Sequence, residues 1–153
     1  MSNTGRRRGH DRERDLRTHL GQCGWVVLRA AGSMGELDLV AIAGPSCMYP
    51  WSMLTALPEG APTNPKRGDI LLVEVKSTSR AFERFGPGAR AALQQLAEWT
   101  GGAAWLAWKP KGATGWTWIH SANWPATSTA AAGSPAGNGR LEPTQNSPTH
   151  RSG

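Results

Sequence analysis

The segment Ile70-Leu71-Leu72-Val73-Glu74-Val75-Lys76 constrains the fold more than any other part of the chain. Ile70 to Val75 is the cleanest strand signal in the sequence, short, apolar and bounded by polar residues. Yet it closes on charge. Side chains alternate faces along a strand, so Glu74 and Lys76, two apart, project on the same side. Another carboxylate, Asp38, lies in the alternating run Glu36-Leu37-Asp38-Leu39-Val40-Ala41-Ile42, which reads as the preceding strand. Paired as neighbours, these two strands would bring two carboxylates and an ammonium to one sheet face. Such groups make poor core residues, because burying each of them unpaired costs several kcal/mol.

What they can do together is hold magnesium. That hard ion takes a few carboxylate or carbonyl oxygens, keeps several waters and completes its shell with phosphate oxygens. A metal-bound water becomes a better nucleophile, and a nearby Lys stabilises charge building on phosphorus or orients the attacking water. Read alone, the tripeptide Glu74-Val75-Lys76 fits equally an ordinary ion pair on an exposed edge strand.

The rest of the chain supplies a frame for that strand. Asp11 to Leu20 is polar, with Leu16 and Leu20 four apart on one face of a short helix closed by Gly21. Trp25 to Leu28 reads as a buried strand. Between the Asp38 strand and Ile70 lies a long connection, 45–68, with five prolines, a length that marks a functional or mobile loop. Ala89 to Thr100 reads as a helix with Ala92, Leu93, Leu96 and Trp99 on one face, capped by Gly101-Gly102. Ala104 to Trp108 and Trp116 to His120 read as two last strands joined by a Lys-Pro-Lys-Gly turn. The order is helix, three strands, helix, two strands, which predicts an α/β fold with a mixed central sheet flanked by helices. Beyond Pro125 there is one large aliphatic residue, Leu141. Composition therefore divides the chain into a basic arm (1–9), a folded domain (10–124) and a low-complexity tail (125–153) read as disordered.

Charge is distributed as unevenly as apolarity. Residues 1–30 hold seven Arg against three acids, a net of +4, whereas the whole chain carries +6. Arg6, Arg7, Arg8, Arg12, Arg14 and Arg17 precede or lie on the first predicted helix, and a planar guanidinium matches two phosphate oxygens at once. A polyanionic partner follows; an idle solubilising arm is the alternative. No stretch approaches the ~18 apolar residues of a membrane span, and Cys23 and Cys47 lack paired spacing, so a reduced, cytoplasmic protein without a membrane partner is expected. Of the eight Trp, Trp25, Trp105, Trp116 and Trp118 fall on predicted strands as core residues. Trp51, in the Pro-rich insertion, is the candidate for stacking on unpaired bases.

In order and spacing, these motifs resemble the PD-(D/E)XK nuclease superfamily, and within it the archaeal-type Holliday junction resolvases. The residues carrying the resemblance are Arg8, Gly9, Glu13, Arg14 and Leu16; then Gly24 to Ser33; then Asp38 to Ala41; then Glu74 to Lys76. A helix between Gly86 and Gly102 and a closing Gly115-Trp116-Thr117-Trp118-Ile119 strand complete it. The resemblance implies a metal-dependent, structure-selective endonuclease that resolves four-way DNA junctions by paired symmetric nicks, as a homodimer with two sites facing one basic surface. Matched position by position, Asp38 and Glu74 would bind the metal together with the Val75 carbonyl. Lys76 would be the catalytic lysine, and Glu13 the helix-borne acid that acts through water or at a second metal position. Ser33 would be the loop serine approaching the scissile phosphate. Arg8, Arg14 and Arg29 would contact DNA, joined by Arg6 and Arg7 of the arm. Magnesium is the implied cofactor, with manganese able to substitute. The chain departs from the family in its 45–68 insertion, in Glu36 as an alternative acid, and in Leu96 and Trp99 where relatives often use Phe for dimer packing. A related nuclease for other branched, nicked or linear DNA, or a junction-binding protein without activity, are the alternatives.

Overall fold

The computed structural model describes residues 4–30 and 37–126, with side chains from Gly9 onward. Ser33, Glu36, the side chains of Arg6, Arg7 and Arg8, and the segment beyond Ala126 lie outside the described residues. Among those described, five strands form one mixed sheet whose spatial order follows the chain. They are β1 (Trp25–Arg29), β2 (Leu39–Ala43), β3 (Ile70–Lys76), β4 (Ala103–Trp108) and β5 (Thr117–His120). β1, β2 and β3 form an antiparallel meander, β4 lies parallel to β3, and β5 returns antiparallel to β4. A parallel step needs a crossover, and here α3 (Ala81–Arg84) and α4 (Pro87–Thr100) supply it. The expected α/β class, order and mixed sheet are therefore observed.

The boundaries shift for local reasons. The first helix, α1, spans Thr4–Gln22 rather than starting near Asp11. Arg is a good helix former, so residues expected as a free basic arm continue the helix from residue 4. α4 begins at Pro87, a residue pre-organised for the first helical position, and ends on Gly101 in the left-handed region at φ 67°. Its buried face is Arg90, Leu93 and Ala97, not the expected Ala92, Leu93, Leu96 and Trp99; Ala92 is exposed and Trp99 is 77% exposed.

The core has two sides. On one, Leu16 and Leu20 of α1 pack on Trp25, Leu39, Leu71 and Val73. Full burial of such a leucine contributes about 2 kcal/mol. The insertion finishes this side. The long connection contains a one-turn helix, α2 (Trp51–Leu54), whose Met53 is fully buried in the same cluster as Trp105, Trp116 and Trp118. The Trp118 indole N–H donates to Ser52 Oγ at 3.2 Å, and the Trp25 indole N–H to the Met48 carbonyl at 2.8 Å. A segment expected to be structureless is thus docked on the sheet beside α1. At its root Gly44 passes so close to Gly24 that a Cβ on Gly44 would lie 2.8 Å from the Gly24 carbonyl oxygen. Burial pushes the thiols of Cys23 and Cys47 up, as befits inert structural cysteines.

On the other side, Leu93 and Ala97 of α4, with Phe85 and Trp124, cover Leu72, Ala104 and Leu106. α4 rests on β3 and β4. The outer face of β1 is left open, with Val26 58% and Leu28 53% exposed.

Candidate active site

β3 is the middle strand of the sheet, which removes the edge-strand reading of Glu74 and Lys76. Glu74 is only 6% exposed, and the Lys76 ammonium donates to Glu74 Oε1. A buried carboxylate is tolerated when a cation and hydrogen bonds accompany it, and Lys76 supplies the charge from two residues away on the same face. The ammonium also faces the ring of the fully buried Phe85, 5.9 Å from its centroid. Sequence reasoning passed over Phe85, because nothing marks it until α3 is seen folding back over the end of β3.

Asp38 sits one step before β2. The last rung between the strands is Leu39 opposite Val73, and Asp38, one residue beyond it, is tied to the same end of β3 at Val73 and Val75. Three backbone-linked contacts fix it there. Its N–H donates to the Val73 carbonyl at 3.1 Å, and its carbonyl accepts from Ala30 N–H at 2.9 Å. Its Oδ2 accepts from the Val75 N–H at 2.8 Å. The carboxylate is thereby held against the β3 backbone at Val75, the residue between Glu74 and Lys76. Asp38, Glu74, Val75 and Lys76 are brought together as expected.

Glu13 reaches this end of the sheet by a separate route. Its carboxylate pairs with Arg29 at 2.8 Å, with His10 within 3.9 Å of it and 3.5 Å of Arg29. Arg29 ends β1, and the next residue, Ala30, is the one bonded to Asp38. Glu13 and Arg29 therefore stand on the α1 side of the sheet, while register and alternation put Glu74 and Lys76 on the α4 side. His10, three residues before Glu13, could have been read as its neighbour from helical spacing alone. Arg14 is exposed and pairs with Asp11 at 3.2 Å.

The donor chemistry suits a hard divalent cation. Two carboxylates from adjacent strands, with the Val75 carbonyl between Glu74 and Lys76, are the few oxygen ligands such an ion takes when water and phosphate fill the rest. No three His, Cys, Asp or Glu side chains converge on one point among the described residues, so Glu13 stands apart from the Asp38–Glu74 pair. The surrounding segments are basic. Lys109 follows β4, donating its backbone N–H to the Lys76 carbonyl at 3.0 Å, and its ammonium ties α1 down through Asp15 at 2.8 Å. Arg80 and Lys111 on loops, and Arg84 at the end of α3, are exposed on the segments leaving the same end of the sheet.

The family model described as archaeal Holliday junction resolvase (hjc) matches residues 4–49. That segment runs from α1 through β2 into the insertion and contains Glu13, Arg14, Arg29 and Asp38; the Glu74-Val75-Lys76 motif lies beyond it. The resemblance drawn from the motifs is borne out over those residues. Among solved structures, the chain is similar to Hjc, a Holliday junction resolvase from the archaeal hyperthermophile Archaeoglobus fulgidus, with a TM-score of 0.48 and 22% identity. The alignment covers 75% of this chain and 74% of that one. No curated protein matches the sequence.

Proposed function

We propose that the chain is a metal-dependent, structure-selective DNA endonuclease that resolves four-way junctions by paired nicks on opposite strands. One observation carries the reading: the Asp38 carboxylate is bonded to the Val75 backbone, between Glu74 and Lys76, which pair with each other at the basic end of the sheet. A protein that only bound DNA would gain nothing from acids facing a polyanion. Bound there, magnesium would offset charge on the scissile phosphate and activate a water. Asp38, fixed by the Val75 N–H, would hold the ion through its second oxygen, and Glu74 would hold it from the opposite strand. Lys76, released from Glu74 as a cation arrives, would turn its ammonium to the phosphate and stabilise the charge that develops there. Manganese, with similar oxygen preference, would substitute. Glu13 would act through water and keep Arg29 aimed at the DNA. Ser33, on the segment between β1 and Asp38, would approach the same phosphate.

Paired nicking needs two sites at fixed separation, so we propose a homodimer. The exposed Val26 and Leu28 of β1 and the exposed Trp99 of α4 are apolar surface that a second copy would cover. The basic end of each subunit, with Arg6, Arg7, Arg8, Arg14 and Arg29, would contact phosphates, reading junction shape rather than sequence.

The test is incubation with a labelled four-way junction and with matched linear duplex, with and without magnesium. Symmetric paired nicks in the junction alone, requiring the metal, are the expected result. Equal cutting of duplex would select a broader nuclease, and retardation without cutting a binding protein.

A further inference from the structure

The exposed surface of α1 carries more than the residues just used. Helix positions Glu13, Arg14, Arg17, Thr18 and Gly21 are spaced by three or four, a single stripe along α1. Strand positions Trp25, Val27 and Arg29 alternate onto the face of β1 that meets this stripe. Between them run two clefts, of about 250 Å³ at the Glu13 and Arg29 end and about 290 Å³ at the Gly21 and Trp25 end. Arg14 and Arg17 line both, so the two are one groove. It starts beside Glu13 and Arg29 and leads away along the edge strand of the sheet.

We infer that this groove is a track for one DNA strand as it leaves the scissile phosphate. The inference rests on the proposed nuclease reading for its position and on the groove's own chemistry for its ligand. The nine helical residues from Glu13 to Gly21 span ~12 Å, which matches about three phosphates at the ~3.4 Å rise per nucleotide of a stacked strand. The cations are distributed along that length: Arg29 at the entrance, Arg14 in the first half, Arg17 in the middle. Arg29 is held by Glu13 and Arg14 by Asp11, whereas no ion pair engages Arg17 among the described residues. Its guanidinium is exposed and available to a phosphate at no cost in broken contacts. The exposed pair between Arg14 and Asp11 is of the kind worth little in water, and a phosphate would displace the Asp. The floor is apolar, the half-buried Val27 and the buried Trp25, and it offers sugars and bases a dry surface. A duplex is too broad for a cleft between one helix and one strand, so the track selects a strand unpaired or opened at the branch point.

Arg17→Ala tests this with two probes, a labelled single-stranded oligonucleotide and a labelled four-way junction, each titrated over a range of salt. Arg67→Ala, at an exposed arginine before β3 that lines neither cleft, is the control. Arg17→Ala should weaken binding of both probes several-fold and lower the salt slope by about one unit, and the control should be indistinguishable from wild type. In a second measurement, Thr18→Cys should form disulfide cross-links to junctions bearing a thiol-tethered phosphate. These cross-links should form only when the tether lies within a few nucleotides of the cut and on one side of it. Unchanged affinity and slope in Arg17→Ala, or cross-links spread over all arms, would overturn the track while leaving junction cleavage standing. Arg17-dependent binding of both probes without any cleavage would support the track and overturn the nuclease reading. Failure of the wild-type chain to bind either probe would overturn both.

Discussion

Glu74 and Lys76 form an ion pair at the centre of the sheet, and their burial couples them. Removing Lys76 takes a paired cation from a buried carboxylate. Lys76→Ala should therefore lower stability by about 3 kcal/mol, whereas Glu74→Gln with Lys76→Met should recover much of that loss, a coupling that urea unfolding of the single and double variants measures. Asp38→Asn or Glu74→Gln should abolish cleavage while preserving or tightening junction binding, because each removes a negative charge near phosphate along with a ligand of the proposed metal site. Magnesium should raise the Tm of wild type and not that of Asp38→Asn. His120 gives a pH signature away from the site. Its Nδ1 accepts from Ala122 N–H at 3.1 Å, its ring meets Trp105 edge to face at 4.8 Å, and burial holds its pKa below the ordinary histidine value. A depressed folded pKa means the neutral ring is favoured by folding. Its contribution is present above about pH 6.5 and is lost as pH falls through the folded value. His120→Gln, which keeps an acceptor, should flatten the acid limb of the stability profile; an unchanged limb would show that other groups set it.

At the scale of elements, what was legible is what repeats. The bounded apolar run of β3, the alternation of β2 and the four-residue spacing in α1 make the strands and the buried pair Leu16 and Leu20 legible. The order of acids along the chain marks Asp38 and Glu74 as candidates on neighbouring strands. The insertion was not legible, since five prolines hide a single helical turn whose only apolar anchor is Met53. Nothing local announces that Met53 will reach Trp105 and Trp118, because that contact depends on tertiary docking. The buried face of α4 was misjudged for a related reason: Trp99 has the hydrophobicity of a core residue, yet the helix is rotated so that Leu93 and Ala97 meet the sheet. Likewise the Glu13–Arg29 pair joins positions sixteen apart whose meeting requires α1 to lie across β1. The insertion now makes a prediction of its own. Met53→Ala should cost about 2–4 kcal/mol, the range for emptying a buried site, whereas Trp51→Ala, at a side chain 83% exposed, should leave stability within ~0.5 kcal/mol. Equal effects on unfolding midpoints would mean that α2 is not docked as described.

For the whole molecule, the distribution of surface decides the architecture of the active species. The α1 side of the sheet is closed by α1 and α2, while the α4 side is closed only over β3 and β4. A small domain that leaves Val26, Leu28 and Trp99 in water retains apolar area that association can bury. The helix flank bearing Gln94 leans on Ser121 beside β5, through a hydrogen bond of 3.4 Å. Leu96 lies on the opposite flank, while Trp99 points away from the buried face into solvent. Trp99→Glu is a cleaner probe than Leu96→Glu, because Leu96 also packs within the subunit on the second core cluster. A Trp99→Glu chain should fold with wild-type stability, run as a monomer in light scattering, and nick junction strands singly. A chain ending at Pro125 retains Trp124, which packs edge to face on Phe85 at 4.9 Å, and so keeps the second core intact. It should remain a dimer and resolve a plasmid-borne junction by paired nicks. If that truncated chain is instead monomeric, the dimer interface is built by residues beyond Pro125 and not by the open face of β1 and α4.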